Sequence, residues 1–118
     1  METLRDALVK INNCEGKVIH LNNTRAVYKL IKTLQQEKLV TISALNNDKV
    51  YVRKTQEASG FFPIHENLRV GRKQIKAVVR QYLPTISGHV LLTTTQGVMN
   101  HHTALEKGIG GMVIGIAY

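Results

Sequence analysis

The spacing of the apolar residues changes along this chain, and that change limits the folds that the chain can adopt. In one segment the apolar residues recur at helical intervals, as one buried face of an α-helix requires. These residues are Val27, Leu30, Ile31 and Leu34. From Val40 onward the pattern becomes strand-like. A chain that combines both periods is expected to form an α+β fold.

The N-terminal part of the chain predicts the order helix, strand, helix, strand, strand. A first helix is expected over residues 4–11, and residues 17–21 have the composition of a strand. The second helix follows the run Asn22 to Thr24, whose side chains can accept its free N–H groups. A turn at residues 46–48 then separates two strand-like segments, which predicts a hairpin.

A segment without clear periodicity divides the chain. It runs from Thr55 to Asn67 and contains Gly60 and Pro63, so we expect it to connect two parts of the fold. A chain of 118 residues suffices for one core or for two small lobes packed together, but not for two independent domains. We therefore expect an N-terminal α/β lobe at residues 1–66 and a C-terminal lobe at residues 67–118.

The C-terminal lobe is expected to mix helices and strands. Its predicted elements are a short strand at 68–70, a helix within 71–83 that Pro84 ends, a strand at 90–93, a helical turn at 100–107 and an apolar strand at 112–118. Three glycines lie just before the last strand, at positions 108, 110 and 111. They predict a flexible link.

The chain carries a large excess of positive charge. Sixteen Lys and Arg against eight Asp and Glu give a formal net charge of +8 at pH 7, with a pI near 9.9. This balance favours a polyanionic partner, with nucleic acid first and an acidic membrane surface second. A membrane is disfavoured because the chain has no Trp and two Phe as anchors, and no apolar run approaches about 20 residues.

The residues that carry chemistry in enzymes are sparse. Cys14 is the single cysteine, so it cannot form an internal disulfide and fits a reducing compartment. The adjacent His101 and His102 are expected to point apart, and no Cys or carboxylate pair at ligand spacing accompanies them. Paired carboxylates, a phosphate-binding glycine loop and a catalytic triad are not evident. We therefore expect no enzymatic activity, metal, cofactor or small-molecule substrate.

Three consecutive threonines, Thr93 to Thr95, precede Gln96 and Gly97 in a polar segment between apolar residues. Threonine hydroxyls can bond to base edges, 2′-hydroxyls and phosphates, while the methyl groups pack on base faces, which suits RNA of irregular shape. The alternative is that the threonines simply favour a strand and that Gly97 turns the chain. Composition alone leaves both interpretations open.

A basic series follows the expected connection between the lobes. It consists of Arg69, Arg72, Lys73, Lys76 and Arg80. All of these except Arg72 are expected to line up on one side at helical spacing, which would form a track for phosphates. The alternative is charge that only keeps the protein in solution.

One motif near the C-terminus resembles a known family. Residues 91–104 read LLTTTQGVMNHHTA, and Gly110 and Gly111 precede an apolar final segment. This pattern resembles the signature of the ribosomal protein S8 family of the small subunit, in its archaeal and eukaryotic cytosolic branch. The opening residues, 4–15, are similar to the start of the same family. The resemblance is weakest from residue 39 to residue 67.

The resemblance implies a set of RNA contacts. In the family the C-terminal loop inserts into a distorted helical segment of the central domain of small-subunit RNA. The resemblance places Thr94, Thr95 and Gly97 at the bases and backbone of the RNA, and Thr24 and Arg25 of the N-terminal lobe at phosphates. Thr93 and Gln96, which stands at a variable position of the family, complete the expected RNA-binding residues. His101 matches a family histidine that would fix the loop or touch the RNA. This chain departs from the family in that it looks trimmed after residue 15 and has Leu105 in place of a basic residue.

The residues and the resemblance together predict a structural component of the small ribosomal subunit. It would bind and stabilise central-domain ribosomal RNA in the cytoplasm, beside neighbouring small-subunit ribosomal proteins. The alternative is a basic nucleic-acid-binding regulator outside the ribosome. A DNA-reading helix at Arg25 is disfavoured because a strand-like segment, rather than another helix, precedes it.

Overall fold

The computed structural model describes residues 3–14, 16–64, 68–83 and 88–118, and these form an α+β fold of four helices and two antiparallel sheets, as the sequence predicts. In chain order the elements are α1 (Leu4–Asn12), β1 (Ile19–Asn22), α2 (Arg25–Gln36), β2 (Val40–Leu45), β3 (Lys49–Lys54), β4 (Phe61–Pro63), β5 (Arg69–Val70), α3 (Ile75–Tyr82), β6 (His89–Thr94), β7 (Gly97–Asn100), α4 (His101–Lys107) and β8 (Gly111–Ala117). The predicted helix stop at Pro84 lies outside the described residues.

The first sheet has the order β1–β3–β2 and contains the predicted hairpin. The turn of that hairpin forms because the Asn46 Oδ1 accepts the N–H groups of Asp48 and Lys49, at 2.9 and 2.7 Å. A side chain that closes a turn in this way fixes the register of the strands on both sides. The predicted order of elements along the N-terminal part of the chain, helix, strand, helix, strand and strand, is confirmed.

Helix α2 buries the apolar face that the sequence predicts. Its N-terminus begins at the N-cap Thr24, whose Oγ1 accepts the N–H of Val27 at 3.2 Å. The four residues of the apolar stripe are at most 1% exposed. They are Val27, Leu30, Ile31 and Leu34. The burial of each such side chain contributes about 1.5–3 kcal/mol, so this helix contributes much of the core.

The second sheet has the order β4–β8–β6–β7, and β5 also pairs with β8. Its two faces are both covered. Leu91 packs in the cluster built by α1, α2 and the first sheet, whereas Val90 and Leu92 pack in the cluster built with α3 and α4. A strand that is buried on both faces shows a continuous apolar run, which explains the sequence of β6. One core thus crosses the predicted lobe boundary, and the boundary itself stays a prediction.

Two strands were not predicted. The segment interpreted as a connection contains β4, which pairs with β8 through Phe61 and Ala117. Its three residues are too few to show a period, and Pro63 disguises them further. The residues after the threonine run form β7, which pairs with β6. The second sheet therefore begins earlier in the chain than the sequence suggested.

Gly110 and Gly111 pack closely against the backbone of neighbouring segments, and Gly111 already belongs to β8, so the prediction of a flexible link is wrong for these two glycines. Gly108 ends α4 with φ of 67°, a left-handed conformation that glycine adopts without strain. A Cβ added to Gly110 would fall on the carbonyl oxygen of Val70, and one on Gly111 would lie 2.9 Å from the Thr94 Cγ2. Glycine is required here because neighbouring backbones approach closely.

His101, the first residue of α4, is buried against β6. It is 4% exposed, and its Nδ1 accepts the N–H of Val90 at 3.0 Å. Burial, together with the neighbouring His102 and His89, lowers the pKa of this imidazole to about 4. The ring is therefore neutral near pH 7 and links the start of α4 to β6.

Replacing Gly110 by alanine is expected to destabilise the fold by about 1–3 kcal/mol, because the new Cβ would meet backbone atoms of Val70 and Gly71 that cannot move freely. Urea denaturation measures the free energy of unfolding. Gly71→Ala is the matched control, since its Cβ would have only the Gln74 Oε1 within contact, at 3.8 Å. Equal losses for the two variants would contradict the close approach.

The fold is expected to lose stability in mild acid through His101. The pKa of His101 in the unfolded chain is near 6.5. Its contribution to the free energy of unfolding is therefore fully present above pH 6.5 and is lost as the pH falls toward 4. A fall of this size in pKa corresponds to about 3 kcal/mol. Denaturation at several pH values measures the loss, and His101→Asn, whose amide oxygen can still accept the Val90 N–H, should flatten the profile. His20→Asn, at an exposed position on β1, is the matched control, and identical profiles for the two variants would overturn this assignment.

Candidate nucleic-acid interface

The threonine run forms the tip of a tight hairpin between β6 and β7. Thr94 pairs with Gly97, which leaves Thr95 and Gln96 as the two exposed residues of the turn. Gly97 has φ of 108°, a conformation that favours glycine and allows the strands to meet so closely. The tip is therefore held by two strands of a buried sheet rather than by a long loop.

The side chain of Thr94 shapes this tip. Its Oγ1 donates to the carbonyl oxygen of Gly97 at 2.8 Å and accepts the N–H of Gln96 at 3.1 Å. The single hydroxyl proton is thus used within the turn. Of the three threonines, Thr93 and Thr94 are half-buried and Thr95 is exposed. Thr95 and Gln96 are the side chains best placed to meet a partner.

On one side, the hairpin faces the N-terminal half of α2. A groove of about 490 Å³ lies between them, and Arg25 and Lys29 line it together with the tip. A Cβ on Gly97 would lie 3.0 Å from the Lys29 Nζ. The missing side chain of this glycine therefore makes room for a cation against the hairpin backbone.

Two further grooves continue the surface around the same tip. One of about 510 Å³ lies on the β8 side, where Arg69 of β5 faces the threonines. The other, of about 260 Å³, lies between α2 and α4, and its cations are Lys29, Lys32 and Lys107. The Lys107 Nζ donates to the Gln96 Oε1 at 3.1 Å, which holds this exposed amide against the α4 side.

The surface around the tip is electrostatically one-sided. Its cations are Arg25, Lys29, Lys32, Arg69 and Lys107. Among the described residues that line the three grooves there is no carboxylate. Several cations without an intervening acid create a positive potential that attracts phosphates. We call these five residues and the tip, 93–97, the hairpin surface.

The sequence predicted most of this surface but missed three cations. Arg25 lies in a groove, and Thr24 is exposed at the start of the same helix. The unpredicted residues are Lys29, Lys32 and Lys107. Lys29 and Lys32 share the exposed face of α2 with Arg25 at helical spacing, so a sequence signal existed. What the sequence did not show is that α2 packs beside β7.

His101 lies apart from the hairpin surface. Because it is 4% exposed and its Nδ1 is bonded to Val90, it fixes β6 to α4 and does not present a ring to a partner. Of the two roles that the sequence analysis left open, the structure favours fixing the loop.

The basic series from Arg69 to Arg80 does not form a single helical face, so the prediction that it lines up on one side of a helix is wrong. Arg69 lies in β5 and Lys73 precedes α3, which begins only at Ile75. Lys76 and Arg80 alone occupy α3 at helical spacing. Arg69 joins the hairpin surface, whereas Lys73 and Lys76 line a separate groove of about 470 Å³ with Arg72.

Other kinds of site are not evident in the part of the chain that the structure describes. Across residues 3–14, 16–64, 68–83 and 88–118 no group of three or more His, Cys, Asp or Glu is arranged to hold a metal ion. In the same residues, no helix has the length and apolar character that a membrane crossing requires. Cys14 is buried just after α1.

Comparison with known proteins gives the family. The model of the family described as ribosomal protein S8 matches residues 2–118. The small ribosomal subunit protein uS8 of Nitrosopumilus maritimus is 30% identical over 109 residues, which cover 88% of this chain and 84% of that protein. The uS8 protein of Neurospora crassa is 27% identical over 124 residues, covering 98% and 95%. That of Cenarchaeum symbiosum is 55% identical over 40 residues, covering 33% and 31%.

These similarities span nearly the whole chain and include archaeal and eukaryotic relatives. They confirm the resemblance found in the motif of residues 91–104. The family consists of structural, non-enzymatic components of the ribosome, so the expectation of a non-enzymatic protein is confirmed as well. This chain belongs to the ribosomal protein S8 family of the small ribosomal subunit.

Proposed function

We propose that this chain binds small-subunit ribosomal RNA through the hairpin surface and stabilises a folded segment of the central domain. It does so as a cytoplasmic ribosomal protein, beside other proteins of the small subunit. The observation that carries the proposal is the exposed tip, Thr95 and Gln96, set among five cations with no carboxylate in the described lining.

The two parts of the surface have different tasks in this proposal. The cations lie on both sides of the tip and bind phosphates, which supplies affinity and orientation without reading the sequence. The tip supplies short polar side chains and a glycine backbone, which fit between the bases and 2′-hydroxyls of distorted RNA. A rigid tip suits this task because little conformational freedom is lost on binding.

Binding to one folded state of the RNA shifts the population toward that state. A protein that holds phosphates on both sides of an inserted tip stabilises the arrangement in which these phosphates are close together. This supports a role in assembly as well as in the finished subunit. No reaction is required.

A competition between nucleic acids tests the proposed partner. Purified protein is titrated with a central-domain small-subunit RNA fragment and with duplex DNA of equal charge, over a series of salt concentrations. We expect the RNA to bind at least about tenfold more tightly at each salt concentration, with both affinities falling as salt rises. Equal affinities that fall in parallel would support a general nucleic-acid-binding regulator and would refute the proposal.

Replacing Thr95 by leucine is expected to weaken the RNA complex by about tenfold, which is about 1.4 kcal/mol, because the hydroxyl is lost and a bulky group occupies the tip. Binding to duplex DNA should hardly change, since the cations remain. Filter binding or calorimetry measures both. Thr41→Leu is the matched control, an exposed threonine on β2 in the first sheet. If Thr95→Leu binds the RNA as Thr41→Leu does, the tip does not contact RNA.

A further inference from the structure

A polar contact whose sheet partners are buried, and whose glutamate side chain is 33% exposed, holds the end of α2 against the second sheet. Glu37, the C-cap residue of α2, directs both carboxylate oxygens there. Its Oε1 accepts from the Asn100 Nδ2 at 2.8 Å, and its Oε2 lies 3.4 Å from the His89 Nε2. Asn100 is 3% exposed and His89 is 8% exposed. We call these three residues the Glu37 clamp.

Asn100 is held in a defined orientation, whereas His89 keeps an unpaired ring nitrogen. The Asn100 Oδ1 accepts the N–H of Thr103 at 2.9 Å and caps α4, so its amide group has one arrangement. The His89 Nδ1 is buried and has no hydrogen-bond partner among the described residues. A buried polar atom without a partner is destabilising, so His89 occupies this position at a cost in stability.

The clamp bears on the hairpin surface through the alignment of α2 with β7. Lys29 precedes Glu37 by two turns of helix, about 12 Å. Gly97 precedes Asn100 by three residues of strand, about 10 Å. These two distances are nearly equal. The Lys29 ammonium lies beside Gly97, and the Glu37 carboxylate accepts from the Asn100 side chain. Glu37 therefore bonds the helix to one end of the strand, and Lys29 lies in a groove of the hairpin surface at the other end.

We propose that Glu37 is a positioning residue, which fixes α2 on β7 so that Lys29 and Arg25 stand at the correct distance from the hairpin tip. The inference rests on the proposed RNA-binding function and extends it. Glu37 itself lies at the opposite end of α2 from Arg25, so it acts through the helix.

The titratable groups around the clamp are compatible with this role. The ring of His89 lies 6.3 Å from that of His101 and 5.3 Å from that of His102, between ring centres. Burial lowers the pKa of His89, Glu37 raises it and His102 lowers it again. The His89 Nε2 and the Glu37 Oε2 lie 3.4 Å apart, and the net lowering of the His89 pKa favours a neutral imidazole beside the carboxylate.

The sign of one substitution separates positioning from simple electrostatics. Glu37→Ala removes a negative charge from a protein that binds a polyanion, so charge alone predicts tighter RNA binding. Loss of positioning predicts weaker binding, by about five- to tenfold for the central-domain RNA fragment. Glu57→Ala removes an exposed acid outside the clamp and is the matched control. It should bind the RNA as tightly as the unaltered protein or slightly more tightly.

A double-mutant cycle with Lys29 tests the route of the effect. Lys29→Ala should weaken RNA binding about fivefold in the unaltered protein and by less than twofold in the Glu37→Ala background, because α2, still packed through its apolar face, would no longer hold Lys29 in register with the hairpin. Glu37→Gln retains an acceptor for Asn100 and should recover most of the affinity. Additive effects, or tighter binding by Glu37→Ala, would overturn the inference.

Two measurements keep the outcomes distinct. Circular dichroism and thermal melting show whether Glu37→Ala is folded at the binding temperature. If Glu37→Ala is not folded, His89→Leu replaces it as the test variant, because this substitution removes one contact to Glu37 from a buried position that suits an apolar side chain. We expect His89→Leu to weaken RNA binding. Unchanged binding would overturn the inference. If the unaltered protein shows no preference for the RNA, the proposed function fails. If the preference exists and the clamp variants keep it, only the positioning role fails.

Discussion

The burial of one face of α2 is the interaction on which the rest of this structure depends. The four apolar residues of that face join the first sheet, α1 and the inner face of the second sheet in one cluster. This burial fixes the opposite face of the helix as well, because side chains about half a turn apart along a helix point in opposite directions. The basic residues of α2 therefore lie at the surface, and the packing of α2 beside β7 sets them next to the hairpin.

Local features of the chain were sufficient to predict most of the secondary structure. The caps of α2, the turn of the first hairpin and the apolar period of the helices each depend on residues near one another in sequence. The strand at Phe61–Pro63 escaped prediction because its partner, Ala117, is distant in the chain. Gly110 and Gly111 were misinterpreted for a related reason, since the backbone atoms that crowd them belong to segments distant in the chain.

The candidate site shows the same division between local and distant information. The threonine run and Arg25 were found from the sequence and the resemblance, whereas Lys29 and Lys107 were not. The approach of Lys29 to Gly97 arises from tertiary packing, and no periodicity within either segment encodes it. The buried state of His101 is likewise a property of the folded chain. The sequence and the resemblance predicted the threonine run and Arg25, and the structure adds the cations that lie beside them.

The place of β8 in the second sheet bears on how the chain folds during its synthesis. This strand pairs with β4, β5 and β6, and all three precede it in the chain. The first sheet and α2 need no residue beyond position 54 for their own hydrogen bonds, so they can form early. β4 and β5 must wait for β8, which makes their pairing long-range and slow, whereas β6 and β7 pair with each other without it. The hairpin tip can therefore form locally during synthesis, and Arg69 of β5 is held beside it only after β8 has been made.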